Sequence, residues 1–215
     1  MKFRLGAAVT LILLSIISGA QAEDLPPLPK GPLLLTSVTS DQLNSDYWIN
    51  RLTEPDKILF HANNRIKESL RQQSEGKSKD GMEICLIKVN TKNRNVKYAG
   101  ANRQLWIFNN SKKELEEIKP TKAGIASVTS FDFEYQLNEI TLNKGDILYL
   151  TSDGYPDQFG GKDGKKYMSK NFKNFLVSNS ALPMQQQSVL IRDNINNWMS
   201  NYEQVDDLLV IGIKL

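Results

Sequence analysis

Between Lys144 and Gly161 the chain reads KGDILYLTSDGYPDQFGG, and no other stretch constrains the fold as tightly. Ile147, Leu148, Tyr149 and Leu150 form an apolar run that reads as a buried strand. Thr151, Ser152, Asp153 and Gly154 follow at once, which delivers an acidic side chain to the strand end with a glycine immediately behind it. A second acidic pair, Asp206 and Asp207, follows Gln204 and Val205 and opens another apolar run, Leu208–Ile213. Carboxylates on two neighbouring strand ends are what a divalent-metal centre requires. Asp-Gly after a strand also has an ordinary reading as turn chemistry, because aspartate caps local backbone and glycine tolerates positive φ. Asp163-Gly164 reads as such a turn. The spacing Asp153, Asp157, Asp163 does not fit an EF-hand loop, which needs oxygen ligands at alternating positions and a closing glutamate.

The rest of the chain supplies short strands and a few helices. A helix is expected from Glu54-Pro55, with Pro55 tolerated in its first turn. Ile58, Leu59, Ala62, Ile66 and Leu70 recur at helical spacing and give it one buried face. Strands are expected over Met82–Val89, Val96–Ala99, Leu105–Phe108, Leu115–Ile118 and Phe131–Leu142, at the spacing of an antiparallel meander. Asn171–Ser178 and Pro183–Ser200 read as helices, the second with Leu190, Ile191, Ile195 and Trp198 on a face. Strands with segregated helices make an α+β fold of mainly antiparallel sheets.

Composition narrows the function classes. With 215 residues, 40% hydrophobic and 24% charged, the chain suits one soluble globular domain with a real core. The net charge of +3 is small and its lysines are scattered, so there is no basic stripe for nucleic acid. The one cysteine, Cys85, lies in the run Ile84–Val89 and reads as a small buried hydrophobe. The one histidine, His61, sits in the expected helix with nothing to bring it to that thiol.

The N-terminus reads separately. Lys2 and Arg4, the apolar run Leu5–Ser18 and Gly19-Ala20-Gln21-Ala22 have the order of a secretory signal peptide, residues 1–22, cleaved after Ala22. The run is about 14 residues, short of the ~20 that cross a bilayer. Export to the periplasm or medium, with a mature chain that does not span a membrane, is the expectation; an uncleaved N-terminal anchor is the alternative. Residues 23–53 form a proline-containing leader, and residues 54–215 the domain.

Four words, DGMEICLIKVN (80–90), VKYAGANRQLWIF (96–108), LNKGDILYLTSDGYPDQFGGKDGKKY (142–167) and QVDDLLVIGIKL (204–215), occur in order. Together they resemble the C-terminal half of the SpoIIE-like branch of the PPM-type, metal-dependent protein serine/threonine phosphatases, from about Pro55 to Leu215. The resemblance implies an αββα sandwich, here incomplete, and hydrolysis of phosphoserine or phosphothreonine by metal-activated water. It implies two divalent ions, Mn²⁺ or Mg²⁺, with Asp153 and Asp206 as ligands; Asp207, Asp157 and Gly154 rank below them, and Asp80 reads as structural. It also implies a phosphoprotein substrate or a regulatory protein partner.

The family pattern has an earlier word, Asp-x-x-Gly-His-Gly, whose Asp bridges the two metals, and this sequence contains none. Two carboxylates hold at most one ion weakly, so activity is expected to be absent or very low. Missing strands would also leave an uncovered sheet edge open to self-association. A non-catalytic pseudophosphatase or binding module, or a truncated gene product, is the alternative to an enzyme.

Overall fold

The computed structural model describes residues 10–17, 54–73, 81–127 and 129–215. The expected cleavage site, the proline-containing leader and Asp80 lie outside them. The described residues fall into two compact units.

One unit runs from strand β1 (Thr10–Ile17) to Arg103 and takes in Pro120–Thr141. Its sheet has the order β1-β2-β3-β6, with β2 at Glu83–Asn90, β3 at Asn95–Ala101 and β6 at Asn138–Thr141. β2, β3 and β6 pair antiparallel, and β1 lies parallel to β2 from Thr10↔Glu83 to Ile17↔Asn90. β1 therefore occupies part of the run read as the core of a signal peptide.

Helix α1 (Pro55–Gln73) places Ile58, Leu59, Ala62 and Ile66 of the expected face on this unit's core. Leu59 is buried with Ile84, Leu86, Ala99, Ala101, Ile125 and Tyr135, and Ile58, Ala62 and Ile66 pack against them. Just before the helix, Glu54 accepts from Lys97 Nζ at 2.7 Å and Lys88 Nζ at 3.0 Å. These two ammonium groups hold its carboxyl below the usual range. Cys85 is fully buried, and burial pushes its thiol upward, so it stays protonated as the sequence suggests.

The expected strand over Phe131–Leu142 is corrected: only Asn138–Thr141 pairs. Phe133 and Tyr135 alternate inward onto the α1 core without a neighbouring strand. The Tyr135 hydroxyl donates to the Gly124 carbonyl at 3.2 Å, and the Gln136 N–H donates to Thr121 Oγ1 at 2.9 Å. Alternating burial reproduces the period of a strand without its ladder.

The other unit contains Gln104–Lys119 and Leu142–Leu215. Its sheet has the order β10-β7-β4-β5, all antiparallel, with β4 at Leu105–Asn109, β5 at Glu114–Ile118, β7 at Ile147–Thr151 and β10 at Val210–Lys214. Every residue of β7 is buried, which explains an apolar run in place of an alternation. Buried Asp146 sets the entry to β7 by accepting from the N–H groups of Asn110 and Asn143, both at 2.8 Å.

Helices α3 (Ser169–Asn179) and α4 (Met184–Met199) bring Phe172, Leu176 and Ile195 onto Trp106, Phe108, Ile147 and Tyr149. Phe172 stacks on Tyr155 at 3.8 Å between ring centroids. Buried Tyr149, its phenol pushed up to about 12 by desolvation, donates to Gln187 of α4 at 2.6 Å and ties that helix to β7. The edge strand β5 carries Glu114, Glu116 and Glu117, the last paired with Lys173 at 2.5 Å; charge on an edge discourages further pairing. β10 is the opposite edge, and its outer side has no strand partner among the described residues.

The fold is thus α+β, with mainly antiparallel open sheets and segregated helices, as expected from the sequence. Two short elements in the glycine-rich loop were not foreseen: helix α2 (Gly154–Asp157) and the hairpin of β8 (Phe159–Gly160) and β9 (Lys165–Lys166).

Candidate metal centre

The register Thr151↔Val210 brings the end of β7 beside the start of β10, so the two acidic words meet at one end of one sheet. Ser152 extends the ladder by a step, its N–H donating to the Leu209 carbonyl at 3.0 Å. Its side chain then closes a clamp. The hydroxyl donates to the Asp207 carbonyl at 2.6 Å and accepts from the Leu209 N–H at 3.0 Å. Ser152 is only 2% exposed, so these bonds form away from competing water.

Gly154 completes the junction for a reason different from the one expected. It is not among the positive-φ glycines of the described residues, which are Gly145, Gly161 and Gly164. A Cβ at Gly154 would overlap the Asp207 carbonyl and lie 3.3 Å from the Asp206 carbonyl carbon. The residue behind Asp153 is glycine because the backbone of the Asp206-Asp207 loop passes against it.

Asp153 is half-buried at the N-cap of α2, where its side chain makes no capping hydrogen bond. Asp206 is also half-buried; its Oδ1 accepts from the Asp207 N–H at 2.7 Å. Asp207 is exposed. Asp157 pairs with Lys166 of β9 at 3.1 Å, and Asp163 with Lys165 at 3.2 Å in the exposed hairpin. Asp163-Gly164 is the plain turn anticipated, with Gly164 at φ +59°.

Hard carboxylate oxygens on adjacent loops suit Mn²⁺ or Mg²⁺. The set is nonetheless small: among the described residues no three His, Cys, Asp or Glu side chains group so as to hold an ion. The donors among the described residues therefore do not make up a two-ion centre.

Sequence reasoning passed over Ser152 and Gln158. Gln158 follows α2, is fully buried and bonds to the backbone at Glu203 and Val205. No local pattern marks either residue, since each acts on a segment about fifty positions away in sequence.

A family model described as Stage II sporulation protein E (SpoIIE) matches residues 6–215, reaching further upstream than the four words do. Among solved structures, the SiaA-PP2C domain of Pseudomonas aeruginosa aligns with a TM-score of 0.65 at 23% identity, over 79% of this chain and 65% of that one. This likeness shows a PP2C fold, and the chain spans about two thirds of that domain's length. The manganese-presoaked phosphatase domain of the cell fate determinant SpoIIE from Bacillus subtilis aligns with a TM-score of 0.48 at 17% identity, over 83% of this chain and 74% of that one. No curated protein matches the chain.

Proposed function

Because the chain belongs to the SpoIIE family of PP2C-type phosphatase domains, we propose that Asp153 and Asp206 hold a single Mn²⁺ or Mg²⁺ and support at most weak hydrolysis of phosphoserine or phosphothreonine in a protein substrate. The observation that carries this reading is the Ser152–Asp207 bond, which seats the two acidic words side by side. A divalent ion held there supplies positive charge against phosphoryl oxygens and lowers the pKa of water. The chain's own part is to position: Ser152 fixes the β10 loop, Gly154 lets it approach, and Lys166 draws Asp157 to the hairpin.

A non-catalytic binding module is the second reading, favoured by the lack of a third grouped ligand among the described residues. Mn²⁺ content and phosphopeptide hydrolysis measured on one folded sample separate the two. The expected result is about one ion per chain, with turnover well below that of a two-ion centre. Two tightly held ions would sink the single-ion assignment; an ion-free, inactive chain would leave the binding module.

The N-terminus admits two fates. Export with cleavage after Ala22 would remove β1 and bare the β2 edge. The pairing of Thr10–Ile17 with β2 and a family match that starts at residue 6 favour retention. No helix among the described residues is long and apolar enough to cross a membrane. Native mass spectrometry of the full chain made in a bacterial host is expected to return a mass that includes residues 1–22. A mass lacking them restores the export reading. The same spectrum reports association: a dimer supports pairing at the open β10 edge, and a monomer excludes it.

A further inference from the structure

The loop that carries Asp206 has no regular structure of its own from Ser200 to Leu209. It is pinned on both sides of that aspartate. Ser152 holds the downstream side through Asp207 and Leu209. On the upstream side the amide of Gln158 pairs with the main chain, its Nε2 donating to the Glu203 carbonyl at 2.9 Å and its Oε1 accepting from the Val205 N–H at 3.2 Å.

Gln158 is itself held rigidly. It is fully buried, and its carbonyl accepts from Trp198 Nε1 at 3.0 Å and from the Tyr167 N–H at 2.9 Å. Its Nε2 also donates to the Phe159 carbonyl at 3.0 Å. A fully buried amide whose donor and acceptor both engage the residues just before Asp206 is a strut with few alternative partners. Burial also explains why the residue is amide: a carboxylate there would lose the donor to Glu203 and face its carbonyl oxygen.

We propose that Gln158 is a positioning residue for Asp206, holding its loop at the end of β7 so that Asp206 can serve a divalent cation together with Asp153. This rests on the assignment of Asp153 and Asp206 as the ion's ligands. Loss of such an outer support costs about ten- to a hundredfold in metal affinity.

The test uses the full chain and Mn²⁺ alone, with free Mn²⁺ followed by electron paramagnetic resonance. Q158L and Q158E are expected to weaken binding about tenfold or more. In a D206N background Q158L should change it less than about twofold, because coupled residues are non-additive. Equal affinity in Q158L and wild type overturns the proposal, as does an undiminished effect of Q158L on D206N. Amide exchange at Val205 gives a reading free of metal, expected to be about tenfold faster or more in Q158L while β7 amides keep their protection. If the wild type binds no Mn²⁺, the ligand assignment falls. Unchanged exchange at Val205 in Q158L overturns the clamp on its own.

Discussion

Asp153→Ala and Asp153→Asn should each weaken Mn²⁺ binding by about a hundredfold or more, and remove whatever Mn²⁺-dependent phosphopeptide hydrolysis the wild-type chain shows. The affinity of a hard-cation site follows the number and charge of its oxygen ligands. On the proposed assignment the protein's donors are two, so losing one anionic ligand removes half of its share. Support around a site is already worth about ten- to a hundredfold in other metal proteins, and a direct ligand is worth more. Asp153→Asn is the sharper variant because it keeps shape and hydrogen-bonding capacity while removing the charge. If Asp153 served only the turn, Asp153→Asn would bind Mn²⁺ as the wild type does. Titration of both variants by isothermal calorimetry therefore decides between a ligand and a turn residue, and it does so whether or not the chain turns over substrate.

Gly154→Ala is expected to destabilise the fold by about 3 kcal/mol and to loosen the ion site at the same time. The added methyl would meet the Asp207 carbonyl, which is main chain held by Ser152 and cannot rotate aside. Relief requires the Asp206-Asp207 loop to move away from α2, breaking the Ser152 bond and carrying Asp206 away from the end of β7. For a domain of this size that loss lowers the melting temperature by roughly 6–12 °C. Gly212→Ala is the control. Its Cβ would meet the terminal methyl of Met184, a flexible side chain that can yield. Its expected cost is below about 1 kcal/mol. A calorimetric melt in which Gly154→Ala and Gly212→Ala lose the same stability would show that the loop does not press on Gly154.

Much of the fold was legible because its signals are local. The α1 face, with Leu59 at its centre, follows from the 3.6-residue spacing of Ile58, Leu59, Ala62 and Ile66, and the buried strand β7 from its uninterrupted apolar run. The misreading of Phe131–Leu137 has an equally local origin. Phe133 and Tyr135 alternate inward like strand residues, yet their neighbours' backbone bonds go to a side chain and to loops. Periodicity reports which side chains are buried; it does not report what the backbone pairs with. Helix α2 and the β8–β9 hairpin are too short for any period to register.

The family resemblance was equally legible, since ordered words survive as sequence. Its reach was not: the words begin near Pro55, whereas the family match begins at residue 6 and includes the run read as a signal peptide. A short apolar segment satisfies both readings, because hydrophobicity drives recognition by an export machine and pairing into a sheet alike.

By itself the sequence determined that Asp153 ends a buried strand, that Asp206 stands just before another, and that no Asp-x-x-Gly-His-Gly word occurs in it. Tertiary structure decided that the segments carrying the two carboxylates lie side by side at one end of one sheet. That decision rests on the antiparallel register of β7 with β10, on the Ser152 clamp across 55 positions and on the Gln158 strut across 47. Bonds between segments so far apart in sequence leave no periodic trace in either one, and only the folded chain brings their donors and acceptors within 3.2 Å.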